Sequence, residues 1–249
     1  MDRERKKLAK APIDVALFQM KFDIGSSTLA DFTRHDAELR RYFPNRKDTF
    51  SAEINFPGSS IPLGISQVTG TSKAKVSGYL YLSQDQKSKI ELSEDTFTYV
   101  EEHPYNTWDE FVSNILKYLK VLKPAFDNHI ITRISIRFIN RFVISDFTNP
   151  LDYFKTTISA SEPSAVPYPV SKYAFSMMLP VNDSTYSIVK QDFNVISDKV
   201  NYIFDIDVLS RSNIIFDMEI ISETLSELRE IKNDIFFGNV TEKLIELCN

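Results

Sequence analysis

Hydrophobic and polar positions alternate most clearly between Ile130 and Ile144, where the chain reads IITRISIRFINRFVI. Its β-branched and aromatic content predicts a strand of unusual length, and the period of two divides it into faces. Ile134, Ile136, Phe138, Phe142 and Ile144 share one face with Asn140, while Arg133, Ser135, Arg137 and Arg141 share the other. This is the pattern of a core strand with a basic ladder on its back.

The other elements are read around it. Pro12 opens a strand over residues 13–22 in which Ile13, Val15, Leu17 and Gln19 alternate with Asp14, Ala16, Phe18 and Met20, so both sides are apolar and the strand is interior. After Gly25-Ser26-Ser27-Thr28, a cap formed by Thr28 and Asp31 predicts one helix to Tyr42, with Leu29, Phe32, Leu39 and Phe43 as its stripe and Pro44 as its stop. A short strand over 49–56 and a Pro/Gly/Ser loop over 57–64 follow. Three short strands between Ala74 and Glu102, separated by polar turns, form a meander. Thr107 and Glu110 make a capping box ahead of Trp108, Phe111, Val112, Ile115, Leu119 and Leu122, which recur at helical spacing until Pro124 ends the helix.

A short helix over 151–157 runs into SASEPSAVPYPVS, whose prolines and serines mark an extended connection. KYAFSMMLPV, TYSIVKQDFN and NYIFDIDVLS then form a second meander, followed by a helix from Asp217 to Phe236 and a last one from Asn239 to Leu247. The expected fold is α+β: antiparallel sheet from two meanders covered by long amphipathic helices, with the repeated order of strands and helix pointing to a pseudo-duplication. The expected organisation is a flexible basic tail over 1–10, a first half over 11–158, a Pro/Ser-rich connection over 159–171 and a second half over 172–249 packed on the first.

Composition narrows the function classes. With 249 residues and 43% hydrophobic content the chain can bury a large core. Lys+Arg 29 against Asp+Glu 34 leaves a net charge of −5, which disfavours broad attraction to phosphate backbones while leaving local basic surfaces open. The single cysteine, Cys248, excludes an internal disulfide and a cysteine zinc site, and points to a reducing, cytoplasmic setting. No segment approaches the length of a membrane-spanning apolar run.

Catalytic signatures are sparse. His35, His103 and His129 show no metal-ligand spacing, and six glycines include no phosphate-binding loop and no nucleophile elbow, so no cofactor and no metal is expected. Asp205 and Asp207 share one strand face opposite Phe204, Ile206 and Val208. Together with Arg133, Arg137, Asn140 and Arg141 they form a candidate charge network with two readings. In one, the aspartates hold a divalent cation for phosphodiester chemistry and the arginines neutralise charge. In the other, which is the commoner arrangement, they pair with the arginines across neighbouring strands as a structural ladder. Asn140, an amide on an apolar face, is expected to bond backbone. Tyr79, Tyr81, Phe97 and Tyr99 read as sheet cover before they read as base-stacking residues. Tyr105, Trp108 and Phe111 read as packing anchors.

The run Pro104-Tyr105-x-x-Trp108-x-x-Phe111, followed by Arg137-Phe138-Ile139-Asn140-Arg141, resembles a sporadically distributed, conserved-hypothetical prokaryotic family with an AP opening strand, a PY-x-x-W-x-x-F helix start and an R-Y-I-N-R strand. Ala11-Pro12 matches the first element, Asp205-Ile206-Asp207 resembles a late D-I-D strand, and Leu228-Arg229 with Phe236 and Thr241 resembles the closing helices. Phe138 stands where that family often has tyrosine, so a role for that hydroxyl does not carry over. The resemblance implies no established activity. Patchy distribution implies mobile or defence-associated genes.

The leading expectation is therefore a non-catalytic cytoplasmic binding or assembly protein, an antitoxin-like or defence-linked partner of another protein, with a neighbouring-gene product as the natural partner and self-association as an alternative. The rival is a nucleic-acid or nucleotide-processing enzyme using the arginine ladder and a paired-aspartate cation site.

Overall fold

Strand-forming runs dominate the chain, and among the described residues they assemble into one antiparallel sheet of nine strands in the order β2-β3-β4-β5-β1-β6-β9-β8-β7. The computed structural model describes residues 8–23, 29–52, 74–127, 129–145, 149–157, 171–196 and 199–249. Its strands are β1 (Ile13–Phe22), β2 (Asn45–Ala52), β3 (Ala74–Leu82), β4 (Ser88–Ser93), β5 (Thr96–Glu102), β6 (Ile130–Ile144), β7 (Lys172–Pro180), β8 (Thr185–Ile196) and β9 (Lys199–Ile215). Five helices accompany them: α1 (Leu29–Thr33), α2 (Asp36–Leu39), α3 (Trp108–Phe126), α4 (Met218–Asn239) and α5 (Glu242–Leu247). The class is α+β with strand predominating.

Alternation decides the faces. On the inner face, β1 buries Ala16, Phe18, Met20 and Phe22, β6 buries Ile134, Ile136, Phe138, Phe142 and Ile144, and β9 buries Tyr202, Phe204, Ile206 and Val208. The two long helices lie on this face. The Phe111 ring of α3 is 5.8 Å from those of Tyr99 and Phe138, and the Phe236 ring of α4 is 6.0 Å from that of Phe204. Tyr105 and Trp108 also pack on Phe138, at 5.7 and 6.4 Å between ring centroids. Tyr81, Phe97 and Tyr99 are buried in the same core.

Helix ends follow local chemistry. The Thr107 hydroxyl accepts from the Glu110 amide at 3.2 Å to open α3, and the Asp217 carboxylate accepts from the Glu219 and Ile220 amides at 2.8 and 3.1 Å to open α4. Replacing a cap of this kind costs about 1 kcal/mol. Thr107→Ala is therefore expected to lower the melting temperature by about 2 to 4 °C in a thermal scan; no shift would mean that Asn106 or water takes over the cap.

Several boundaries differ from expectation. Residues 29–42 form two short helices, because the Thr33 hydroxyl bonds the Ala30 carbonyl at 2.6 Å and the chain leaves helical geometry before restarting at Asp36. Pro124 lies inside the last turn of α3, whose following residues Ala125 and Phe126 are held in the core. In place of a helix over 151–157 there is one 3-10 turn, Pro150–Asp152, after which Phe154 bridges Val240 and stacks 3.8 Å from Tyr202. β2 starts at Asn45, earlier than expected. Asn239 closes α4, and Thr241 caps a separate α5.

The Thr28 cap, the loop over 57–64 and nearly all of the 159–171 connection lie outside the described residues, as do residues 1–7 of the expected tail. Leu8 packs on the core, and the Lys10 amide donates to the Cys248 carbonyl at 2.8 Å. Among the described residues, no helix is long and apolar enough to cross a membrane.

Candidate functional site

The outer face of the sheet carries the charged residues, and strand register sets who meets whom. Arg137 stands opposite Leu17 on β1 and Asp207 on β9. One row along, Ile139 stands opposite Val15 and Asp205, and Asp205 stands opposite Lys190 on β8. Arg133 and Arg211 face each other at the far end of the same pair of strands.

Arg137 reaches diagonally past its in-register neighbour. Its Nε donates to Asp205 Oδ1 at 2.8 Å and its Nη2 to Asp205 Oδ2 at 2.6 Å, a two-point pairing of planar guanidinium and planar carboxylate. The Asp205 side chain is 7% exposed and that of Arg137 34%. The hydrogen bonds to Asp205 raise the Arg137 pKa further, so the guanidinium is permanently charged.

Asp207 is left without that partner. Its Oδ1 is buried and makes no hydrogen bond. Burial, assisted by the Asp205 charge, pushes its carboxyl up from 3.8 to about 6, while Arg137, Arg133 and Lys190 pull it back. The two carboxylates of one strand face therefore differ in kind. Asp205 is a charge in a closed pair, and Asp207 is a group that holds its proton into the mildly acidic range.

The other arginines take partners elsewhere. Arg141 Nε donates to Asp14 Oδ2 on β1 at 2.8 Å, and Arg133 Nη2 donates to Gln19 Oε1 on the same strand. The expectation that Asp205 and Asp207 serve the whole arginine ladder is corrected to a single pair, Arg137 with Asp205. The ladder bends toward β1 because Arg141 and Arg133 flank the aspartate rows and meet polar side chains of β1 there. Arg133 Nε remains buried without a hydrogen bond. Asn140, 3% exposed, donates from Nδ2 to the Phe204 carbonyl at 2.9 Å and so ties β6 to β9 on the inner face.

Beside this cluster, a cavity of about 390 Å³ opens over β7, β8 and β9, lined among others by Ala174, Ser176, Lys190, Asp192, Ile203 and Asp205. Asp207 is not among its lining residues. For Lys190 and Asp192 the only signal in the sequence is alternation in TYSIVKQDFN, which places Tyr186, Ile188, Lys190 and Asp192 on one face. Nothing local says that this face lies beside Asp205; the β8 to β9 register does.

Among the described residues no group of three or more His, Cys, Asp or Glu side chains is placed to hold a metal ion. His129 is buried edge-on to Phe22, its ring nitrogens unpartnered. Buried Cys248, its thiol pKa raised by desolvation, is a poor nucleophile. No protein-family model matches the chain, and no curated protein matches it.

Proposed function

We propose that the chain is a non-catalytic cytoplasmic binding or assembly protein whose partner is another protein, in the manner of an antitoxin-like or defence-linked component. The observation that carries this reading is the closed Arg137 to Asp205 pair. A carboxylate that accepts two short hydrogen bonds from one guanidinium has little capacity left for a cation, and the guanidinium is spent as a phosphate ligand. Among the described residues the one carboxyl with a strongly raised pKa, Asp207, does not line the adjacent cavity, so acid and binding space are not combined there as a general acid or base requires. Among the described residues β2 and β7 each pair on one side only, and an unpaired edge is a ready surface for association.

The strand order also supports an internal duplication built from two meanders. β1 and β6 lie side by side at the centre, and each is followed in the chain by strands that proceed from an edge inward, β2 to β5 and β7 to β9, and then by a long helix. Superposition of the halves tests this; unrelated paths of α3 and α4 over their strands would remove it.

The functional reading is tested by isolating the tagged full-length chain from its native host and reconstituting any stoichiometric partner from purified components by native mass spectrometry. A defined complex is the expected result. A solitary chain that cleaves nucleotide or nucleic acid with a divalent cation, and loses that activity in Asp207→Asn, would establish the rival.

A further inference from the structure

The two edges of the sheet differ in how they are defended. β2 reads NRKDTFSA and presents Arg46, Lys47 and Asp48, the kind of charge that blocks unwanted strand pairing. β7 reads KYAFSMMLP and carries no charge after Lys172. Its solvent-side residues include Met178, 66% exposed. Such an edge is normally a hazard, and its retention over nine residues marks it as a place where a strand is meant to add.

The hydrogen-bond pattern shows which groups are available. The Val181 amide donates to the Thr185 carbonyl at 2.9 Å and the Val195 amide to the Ser171 carbonyl at 3.0 Å, bracketing the β7 to β8 ladder. Direction alternates along an antiparallel strand, so residues 173, 175, 177 and 179 bond inward to β8. The amides and carbonyls of Lys172, Ala174, Ser176 and Met178 point outward, and among the described residues no strand pairs with them. Pro180 supplies no amide and ends the outward row.

The side chains of these same residues project onto the outer face, where Ala174 lies opposite Asp192 and Ser176 opposite Lys190. Both β7 residues are small, and the cavity of about 390 Å³ lies over them. Among the described residues Lys190 and Asp192 make no ion pair or side-chain hydrogen bond, and the Lys190 charge is felt at Asp207 without pairing to it. A strand added outside β7 lies about 10 Å from β8, two strand spacings, within the combined reach of a long charged side chain and its counterpart. On the inner face Tyr173, Phe175, Met177 and Leu179 are only half-buried, so alternate residues of that strand would meet an apolar row.

Building on the association reading, we propose that the β7 edge takes up an extended segment of a partner protein as a tenth strand, with apolar residues alternating with charges. A basic residue opposite Ala174 meets Asp192, and an acidic residue opposite Ser176 meets Lys190. A second copy of β7 fits less well. Its one charge is Lys172, and it has no acid for Lys190.

The probes are three capped peptides of alternating valine and threonine that carry, two residues apart on one face, Glu and Lys, two Lys, or two Glu. Binding to the full chain is read by fluorescence anisotropy. The wild-type chain is expected to prefer the Glu/Lys peptide. Lys190→Asp is expected to shift preference to the two-lysine peptide and Asp192→Lys to the two-glutamate peptide, each by about tenfold, whichever way the strand runs. Ser176→Pro removes an outward amide but no internal bond, so it should abolish binding of all three with little change in melting temperature; Ala174→Pro serves the same purpose should the first variant misfold.

Absence of saturable binding to the wild-type chain, or preferences indifferent to both charge variants, would overturn the proposal. So would self-association that Ser176→Pro abolishes, which would assign the edge to a second copy. A reconstituted partner complex that survives Ser176→Pro would leave the association reading standing and remove the edge from it.

Discussion

Arg137→Ala is expected to lower the unfolding free energy by about 3 kcal/mol, because it strands a carboxylate that is nearly out of solvent. Asp205, 5% exposed as a residue, has among the described residues no second cation within hydrogen-bond distance. The cost falls at the lower end of the range for buried pairs because Arg137 is itself 34% exposed and water screens its head group. Removing both charges together should behave differently. Arg137→Met combined with Asp205→Leu replaces the pair by apolar side chains on a face that already holds Leu17, Ile139 and Leu209, and is expected to lie within about 1 kcal/mol of the wild type. Urea unfolding of the two single variants and the double variant gives the coupling directly. A loss below about 0.5 kcal/mol for Arg137→Ala would class the pair with ordinary surface ion pairs and remove its structural role.

Asp207→Asn is expected to stabilise the protein at pH 7 and to flatten its pH dependence. The folded-state pKa of Asp207, about 6, exceeds the unfolded value of 3.8, so the folded chain binds the proton more tightly. Its contribution to stability is therefore fully present below about pH 4, declines as pH rises, and is gone above about pH 6. Two pKa units correspond to at most about 3 kcal/mol, and an amide in place of the carboxylate should recover about 1 to 2 kcal/mol of it at pH 7. Melting temperatures of wild type and variant should diverge across pH 4 to 6 and converge below it. A wild-type stability that rises with pH through this window, as it does for a paired carboxylate, would show that Asp207 is ionised and satisfied in the folded state.

Both results bear on function through the same geometry. The outer-face cluster links strands β1, β6 and β9 at the centre of the sheet, and Lys190, Asp192 and the β7 edge, where the proposed partner strand would add, lie further out.

Some of this is legible in the chain. Period-2 alternation separates the inner and outer residues of β6 and β9, because neighbouring side chains on a strand point to opposite faces whatever the strand pairs with. Thr107 and Asp217 announce the starts of α3 and α4, since a cap depends on residues within one turn. The apolar stripe of α3 from Phe111 to Leu122 likewise follows from a spacing that repeats within the helix. Local competition is harder to read: the Thr33 hydroxyl that splits the helix over 29–42 looks no different in sequence from one that points to water.

The partners of the charges are legible only in three dimensions. Asp205 and Asp207 are equivalent by alternation, and only the β6 to β9 register, with a diagonal reach of Arg137, makes one a paired charge and the other a half-buried acid whose Oδ1 has no partner. Arg141 finds Asp14 and Arg133 finds Gln19 because β1 lies against β6, a contact between segments more than a hundred residues apart. The edge position of β7 is of the same kind. An uncharged alternating run is visible in KYAFSMMLP, but whether it is buried between neighbours or open to a partner depends on where seven other strands and β8 come to rest. Faces and caps are short-range properties and the sequence determined them; pairing, register and edges are long-range, and only the tertiary structure decided them.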